Sequence, residues 1–143
     1  MTTLVDDNDP RIMYTGLWFT SGVSPEYHNT THGTYAAGSS ASFNFTGTSI
    51  SVFGTVGPAN LYAEENRPPI SMYNLDDSPA VFFTGPLLNS ASYHYQFYTS
   101  PPLDAGIHSL VITSVNMSNT LWLDYLQYTG VNGKYGHQIF QIS

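Results

Sequence analysis

The segment GIHSLVITSVNMSNTLWLDYLQY, Gly106 to Tyr128, carries the densest apolar patterning in the chain and decides how the rest is read. Its first part places His108, Leu110 and Ile112 on one face and Ser109, Val111 and Thr113 on the other. That period of two is the pattern of a strand with one buried face. A polar turn, Asn116 to Asn119, separates it from a second strand that is apolar on both faces. Leu121, Leu123 and Tyr125 share one side; Trp122, Leu126 and Tyr128 share the other, together with Asp124. An ionised carboxylate is costly to bury unpaired. The Asp124 face is therefore wet, paired or covered by another part of the chain. The two strands are read as a central hairpin.

Outward from it, the same grammar repeats. Ile12 and Tyr14 alternate with Arg11 and Met13 in a first strand that breaks at Gly16, and residues 20–40 carry loop chemistry with a short strand at Thr34 to Ala36. Phe43 and Phe45 alternate with Ser42 and Asn44, and Gly47 is read as the turn of a hairpin into Thr48 to Val56. Residues 57–69 form a proline-rich loop, followed by a strand pair, Ile70 to Leu75 and Ala80 to Thr84, around Asp76-Asp-Ser-Pro79. Tyr93 to Tyr98 makes another strand, and His137 to Ile142 a last one. No segment has a convincing helical period. Many short strands with Gly and Pro turns predict an all-β antiparallel sandwich or barrel, one domain over 1–143 with 132–143 as an extra C-terminal strand.

Composition narrows the function. At 143 residues the chain has room for one core. Three basic residues against ten acidic ones leave a net charge of −7, which argues against nucleic acid and against anionic membranes. There is no cysteine, so neither a disulfide framework nor a Cys-type zinc site exists. No apolar run approaches the ~20 residues of a membrane span, and the acidic start does not read as a signal peptide. The compartment expected on those grounds is the cytosol, or the outside of the cell if the chain is a piece of a longer one. Three Asn-x-Ser/Thr sequons, at Asn29, Asn44 and Asn116, do not decide it in a chain this rich in those residues.

Several short runs recur together in a known pattern: Val5 to Pro10, Ile12 to Gly16 with Trp18, Thr31-His32, Phe45 to Thr55, Gly106 to Leu110, and Leu123-Asp-Tyr125. Over residues 5–129 the chain resembles the galactose-binding-domain-like β-sandwich modules of mushroom-forming fungi. The resemblance implies a jelly-roll sandwich related to carbohydrate-binding modules and lectins. The 57–69 loop and the added C-terminal strand depart from that pattern. They fit a free-standing fruiting-body lectin, a cytosolic defence protein that binds non-self glycoconjugates, better than the ectodomain of a surface protein.

The candidate residues follow from chemistry. Neutral sugars need flat apolar faces and neutral hydrogen-bonding groups. The loops 20–34 and 85–96 offer Tyr27, Tyr93 and Tyr95 for stacking, and His28, Asn29, His32 and His94 for orienting hydroxyls. Trp18 and Trp122 are assigned to core or interface, and His108 to the core with a backbone hydrogen bond. Asp6, Asp7 and Asp9 near one end and Asp124 near the other have the ligand chemistry of a calcium site, which takes six to eight oxygens at about 2.3–2.6 Å. The simpler alternative is a solvated acidic turn. No catalytic motif is present. Glu26, Glu64, Glu65 and Asp76 could be combined into a glycosidase-like pair, but only availability supports it, so the expectation is a non-catalytic glycan binder, with a small glycoside hydrolase or a structural interaction module as the alternatives. The apolar, uncharged 137–142 run further predicts a homodimer, because an exposed edge strand of that kind is an aggregation hazard.

Overall fold

The computed structural model describes residues 1–59, 67–115 and 119–131. Its ten strands are β1 (Thr2–Asp6), β2 (Met13–Thr15), β3 (Phe19–Ser21), β4 (Thr31–Thr34), β5 (Ser40–Val56), β6 (Ile70–Leu75), β7 (Val81–Thr84), β8 (Ser92–Thr99), β9 (Gly106–Ser114) and β10 (Leu121–Gly130). A single 3₁₀ turn, Tyr27–Asn29, is the one helical element among the described residues. The all-β, antiparallel expectation holds: every strand-to-strand ladder is antiparallel. Among the described residues no helix is long and apolar enough to cross a membrane.

The architecture turns on β5, not on a hairpin. At Gly47 the chain does not turn back; Ser40–Val56 runs on as one strand of 17 residues. Its first half pairs with β9 on one edge and with β2 on the other. Its second half pairs with β10 and β8. One layer thus holds β2, the start of β5, β9, β6 and β7; the other holds β3, β4 and β1 on β10, the end of β5, and β8. Gly47 marks the crossover because no side chain fits there: a Cβ would stand 2.2 Å from the Thr129 carbonyl oxygen. The buried positions change parity at this point, from Ala41, Phe43 and Phe45 to Ile50 and Val52.

The expected hairpin between β9 and β10 is likewise corrected. Both strands lie where the alternation puts them, but β5 sits between them, and neither pairs with the other. Both faces of β10 are apolar because one packs in the core and the other lies under loops. Facing residues of the two layers, among them Phe43, Tyr73, Leu110 and Ile112 against Val52, Leu121, Leu123 and Leu126, form a single core.

Two smaller readings also shift. The acidic N-terminus contains β1, whose residues Thr2 to Asp6 pair with Tyr125 to Thr129. The short strand expected at Thr34 to Ala36 is β4, a few residues earlier. The strand pair around Asp76 forms as expected, Ile70 opposite Thr84 and Tyr73 opposite Val81. The turn residues 116–118, Glu64 and Glu65, and the whole of 132–143 with its extra strand and His137, lie outside the described residues.

Candidate functional site

β10 carries β1 and β4 on the same edge, β1 along Tyr125 to Thr129 and β4 along Leu121 to Leu123. Asp124 falls in the gap. On the opposite edge Leu123 faces Gly54 and Tyr125 faces Phe53, so Asp124 is the extra residue of a β-bulge. A bulge leaves one residue out of the ladder and re-aims the side chains around it. Here it also shifts the alternation by one. Leu126 and Tyr128 consequently join Leu121 and Leu123 against the core, while Tyr125 turns to the Trp122 side and stacks on Phe53 at 4.8 Å.

Asp124 is fully buried, and the covering comes from the loop before β4. Both of its carboxylate oxygens accept the Tyr27 N–H at 3.1 Å. Burial pushes its pKa up to about 6, against the pull of the Tyr27 hydrogen bond, with the charges of Glu26 and Asp7 adding to the rise. The loop turns tightly through left-handed backbone at His28 and Asn29. It closes against Gly22, where a Cβ would overlap the Asn29 carbonyl.

Beside it, Asp7 closes the seam where β1 gives way to β4. Its carboxylate accepts the Thr30 hydroxyl at 2.6 Å and lies 2.7 Å from His32 Nδ1. The His32 ring is stacked on Tyr14 at 4.0 Å, and the Tyr14 hydroxyl donates to the Asp7 carbonyl. Desolvation raises the pKa of Asp7 despite those hydrogen bonds. This network is a clasp between strand ends, and it accounts for the burial of both groups.

Above these groups the segment from the end of β3 to the start of β4 and the start of β8 come together with β10 around a hollow of about 150 Å³. Tyr93 and Trp122 supply aromatic surface, while Glu26, Thr31 and Thr55 line it with oxygen. Glu26 is only 6% exposed; it accepts the Val23 N–H at 2.7 Å and the Thr55 hydroxyl. Thr31 is 1% exposed, and its hydroxyl meets no hydrogen-bond partner among the described residues. Two larger depressions exist, around Arg11 and Phe43 and around Leu17 and Tyr35, but neither has a buried polar side chain in its lining. Of these three, the smaller hollow is the one with buried polar side chains in its lining, Glu26, Thr31 and Thr55.

The residues expected to bind fall into three groups. Tyr93 lines the hollow. His94 latches the two loops instead, its Nε2 donating to the Pro25 carbonyl at 2.7 Å and its Nδ1 facing the Tyr125 hydroxyl at 3.4 Å. Tyr27 and His28 stack on each other at 4.0 Å and, with Asn29, form the 3₁₀ turn over Asp124. His32 is engaged by Asp7, and Tyr95 packs against Phe83 and Phe97. The lining residues Glu26, Thr31 and Trp122 were not among those expected to bind. The sequence did carry a signal for Trp122: Asp124, two residues on, marks its face as one covered by polar structure.

The four aspartates considered for calcium have other partners. Asp9 is paired with Arg11 at 2.9 Å, Asp7 with His32, Asp124 with the Tyr27 N–H, and Asp6 accepts the Asn8 N–H at 3.2 Å. Among the described residues no three His, Cys, Asp or Glu side chains converge as a metal-ligand set. The glycosidase candidates are also apart in their bonding: Glu26 belongs to the hollow, whereas Asp76 binds His108 Nδ1 and the Ser109 N–H, both at 2.8 Å. His108 is thus held by a carboxylate and by the Asp104 carbonyl, rather than by backbone alone.

No family model and no curated protein matches the sequence. Solved structures do share the fold. A family 35 carbohydrate binding module from Clostridium thermocellum overlays with a TM-score of 0.60 at 12% identity, covering 89% of this chain and 98% of that one. A family two carbohydrate esterase from Cellvibrio japonicus overlays with a TM-score of 0.64 at 16% identity, over 92% of this chain and 34% of that one. An exo-β-1,3-galactanase from Phanerochaete chrysosporium does so with a TM-score of 0.60 at 16% identity, over 88% and 29%. The chain therefore spans about a third of the two enzymes and nearly the whole of the binding module. The fold is that of a carbohydrate-binding-type β-sandwich, and at these identities the likeness speaks for the fold alone.

Proposed function

We propose that the chain is a non-catalytic glycan-binding module and that the hollow between Glu26, Thr31, Tyr93 and Trp122 is its site. One observation carries the reading: two aromatic residues and three buried oxygen-bearing ones, Glu26, Thr31 and Thr55, line one small cavity, and the Thr31 hydroxyl has no partner among the described residues. A sugar offers the matching chemistry, an apolar C–H face and a rim of hydroxyl donors. The fold supports it, since a binding module of almost the same extent shares it. A hydrolytic role has less support. A glycosidase pair needs two carboxyl groups flanking one bond, about 5–9.5 Å apart. Glu26 is the one carboxylate lining the hollow among the described residues.

The fuller role we infer, that of a cytosolic fungal defence lectin acting as a homodimer, rests on the sequence resemblance and on avidity, because a single small hollow gains useful strength when two are presented together. The test is a glycan array probed with the folded protein, with reducing-sugar release followed on every glycan bound. Binding without release, lost in Trp122→Ala, is the expected result. A blank array, or release of reducing sugar, would count against it.

A further inference from the structure

We propose that the hollow selects amine-bearing sugars over neutral ones and rejects acidic sugars, with Glu26 as the specificity-determining residue. This rests on the glycan-binding reading of the same site.

The argument starts from charge. Glu26 is buried, and its bonded partners, the Val23 amide and the Thr55 hydroxyl, are both neutral donors. An ionised carboxylate has about four lone-pair positions, so two donors leave capacity on its oxygens. No Lys or Arg lines the hollow among the described residues, and His94, near the start of β8, has its Nε2 on the Pro25 carbonyl and its Nδ1 against the Tyr125 hydroxyl. A buried carboxylate without a cation is a costly arrangement that a bound cation relieves.

The surroundings reinforce the sign. Asp124 lies close enough to feel the charges of Glu26 and Asp7 as well as that of His94, so the base of the loop sets three carboxylates beside one histidine. The walls suit the same guest. Tyr93 and Trp122 present aromatic surface, and an ammonium over such a face is attracted to it. Thr31 supplies the independent sign of a ligand: it lines the hollow, and its buried hydroxyl has no hydrogen-bond partner among the described residues. Donors on the guest are matched by Glu26 and Thr31. A carboxylate, sulfate or phosphate on the guest would face Glu26 with like charge.

The experiment is titration calorimetry of the full chain with methyl glycosides in two matched sets: glucosamine, glucose and glucuronate, and galactosamine, galactose and galacturonate. In the set whose ring stereochemistry the site accepts, the amino sugar should bind at least about tenfold more tightly than the neutral sugar, the size of one charge-assisted hydrogen bond, with no binding of the uronate. Glu26→Gln keeps an acceptor for Val23 and a group for Thr55, and should bring amino and neutral sugars within about twofold of each other. Thr31→Val should weaken the amino and the neutral sugar alike and keep the ratio between them, and it remains informative if the Glu26 variant fails to fold. Neutral binding equal to or tighter than amino binding, or measurable uronate binding, would overturn the selectivity and leave the glycan-binding reading standing. So would silence of all six while amine-free glycans bind on an array. Silence of all six together with a blank array would overturn the glycan-binding reading itself.

Discussion

The amide of Asp7 donates to the carbonyl of Asp124 at 3.0 Å, so the end of β1 is tied to the bulge of β10 and two fully buried carboxylates hang from bonded neighbours. Burial raises the pKa of both, Asp124 to about 6 from an ordinary 3.8. A raised folded-state value means that the native state binds the proton more tightly than the unfolded chain does. Stability from these groups is therefore full below the unfolded value and is lost as pH rises through the folded one. Asp9 and Asp76 work the other way: hydrogen bonds from Arg11 and His108 lower their values, and their contribution is lost as pH falls. The melting temperature should peak at mildly acidic pH, about 4.5–5.5, and decline toward pH 7.5. Asp124→Asn, which keeps an acceptor for Tyr27, should flatten the decline. A melting temperature that climbs from pH 5 to pH 7.5 would contradict this account.

The His108–Asp76 pair gives a second titration. His108 is held between Asp76 and the Asp104 carbonyl, and the Asp76 hydrogen bond is the larger cause of its raised pKa. The charged imidazolium can donate to both at once. Its stabilising contribution is present below pH 6.5 and fades as pH rises through the folded value. In Asp76→Asn the His108 ring should titrate at lower pH than in the parent, read from its proton NMR shifts. With the Asp76 side chain 42% exposed, the cost to stability should stay within about 1 kcal/mol. An unchanged midpoint would mean that the 2.8 Å contact carries no charge coupling.

Packing offers a third test, and it bears on the bulge. Strict alternation puts Leu126 opposite Leu123; the extra residue at Asp124 puts both in the core. Leu126→Ala should cost about 2–5 kcal/mol, the range for a buried leucine emptied to alanine. Ile107→Ala, at an 81% exposed site on β9, two strands over, should fall within about 0.5 kcal/mol. Denaturant midpoints separate the two. Equal, small effects would place Leu126 outside the core.

Much of the fold could be read from period-two patterns, because burial of one face imposes them: β6 with β7, β8 and β9 lie where alternation put them. The errors have a common physical source. Gly47 looks like a turn in sequence, yet its missing side chain admits the Thr129 carbonyl of the neighbouring strand. The bulge at Asp124 leaves no compositional mark, so the faces of β10 were divided wrongly beyond it. Pairing partners were out of reach for a related reason, since β5 separates β9 from β10 by contacts that span the length of the chain. Around the hollow, loop chemistry singled out the segments 20–34 and 85–96 and, within them, Tyr93, but not Glu26 or Thr31. His32, His94 and Tyr95 there serve as latches or packing, and the burial of Glu26 and Thr31 depends on strands far away in sequence.

The sharpest functional contrast lies within β8. Tyr93 and Tyr95 are two residues apart, so a regular strand would show them on one face. They part because His94 takes a left-handed backbone, φ 54°, and because β8 holds an extra residue against β5: Ser92 faces Val56 while Tyr95 faces Gly54. Tyr93 thereby reaches the hollow, while Tyr95 packs on Phe83 and Phe97, with ring centroids at 5.8 and 6.3 Å. The two alanine variants should fail in different ways. Tyr93→Ala should keep the parent melting temperature within a few degrees, as a half-buried rim residue should, and lose about 1–3 kcal/mol of glycan affinity, the value of one stacked aromatic face. Tyr95→Ala should lower the melting temperature through its lost ring contacts, and at a temperature where it is folded should bind as the parent does. Thermal unfolding and titration calorimetry on the same two samples check both halves. If Tyr95→Ala loses glycan affinity while Tyr93→Ala keeps it, the site lies on the Phe83 side of β8 and not in the hollow beside Trp122.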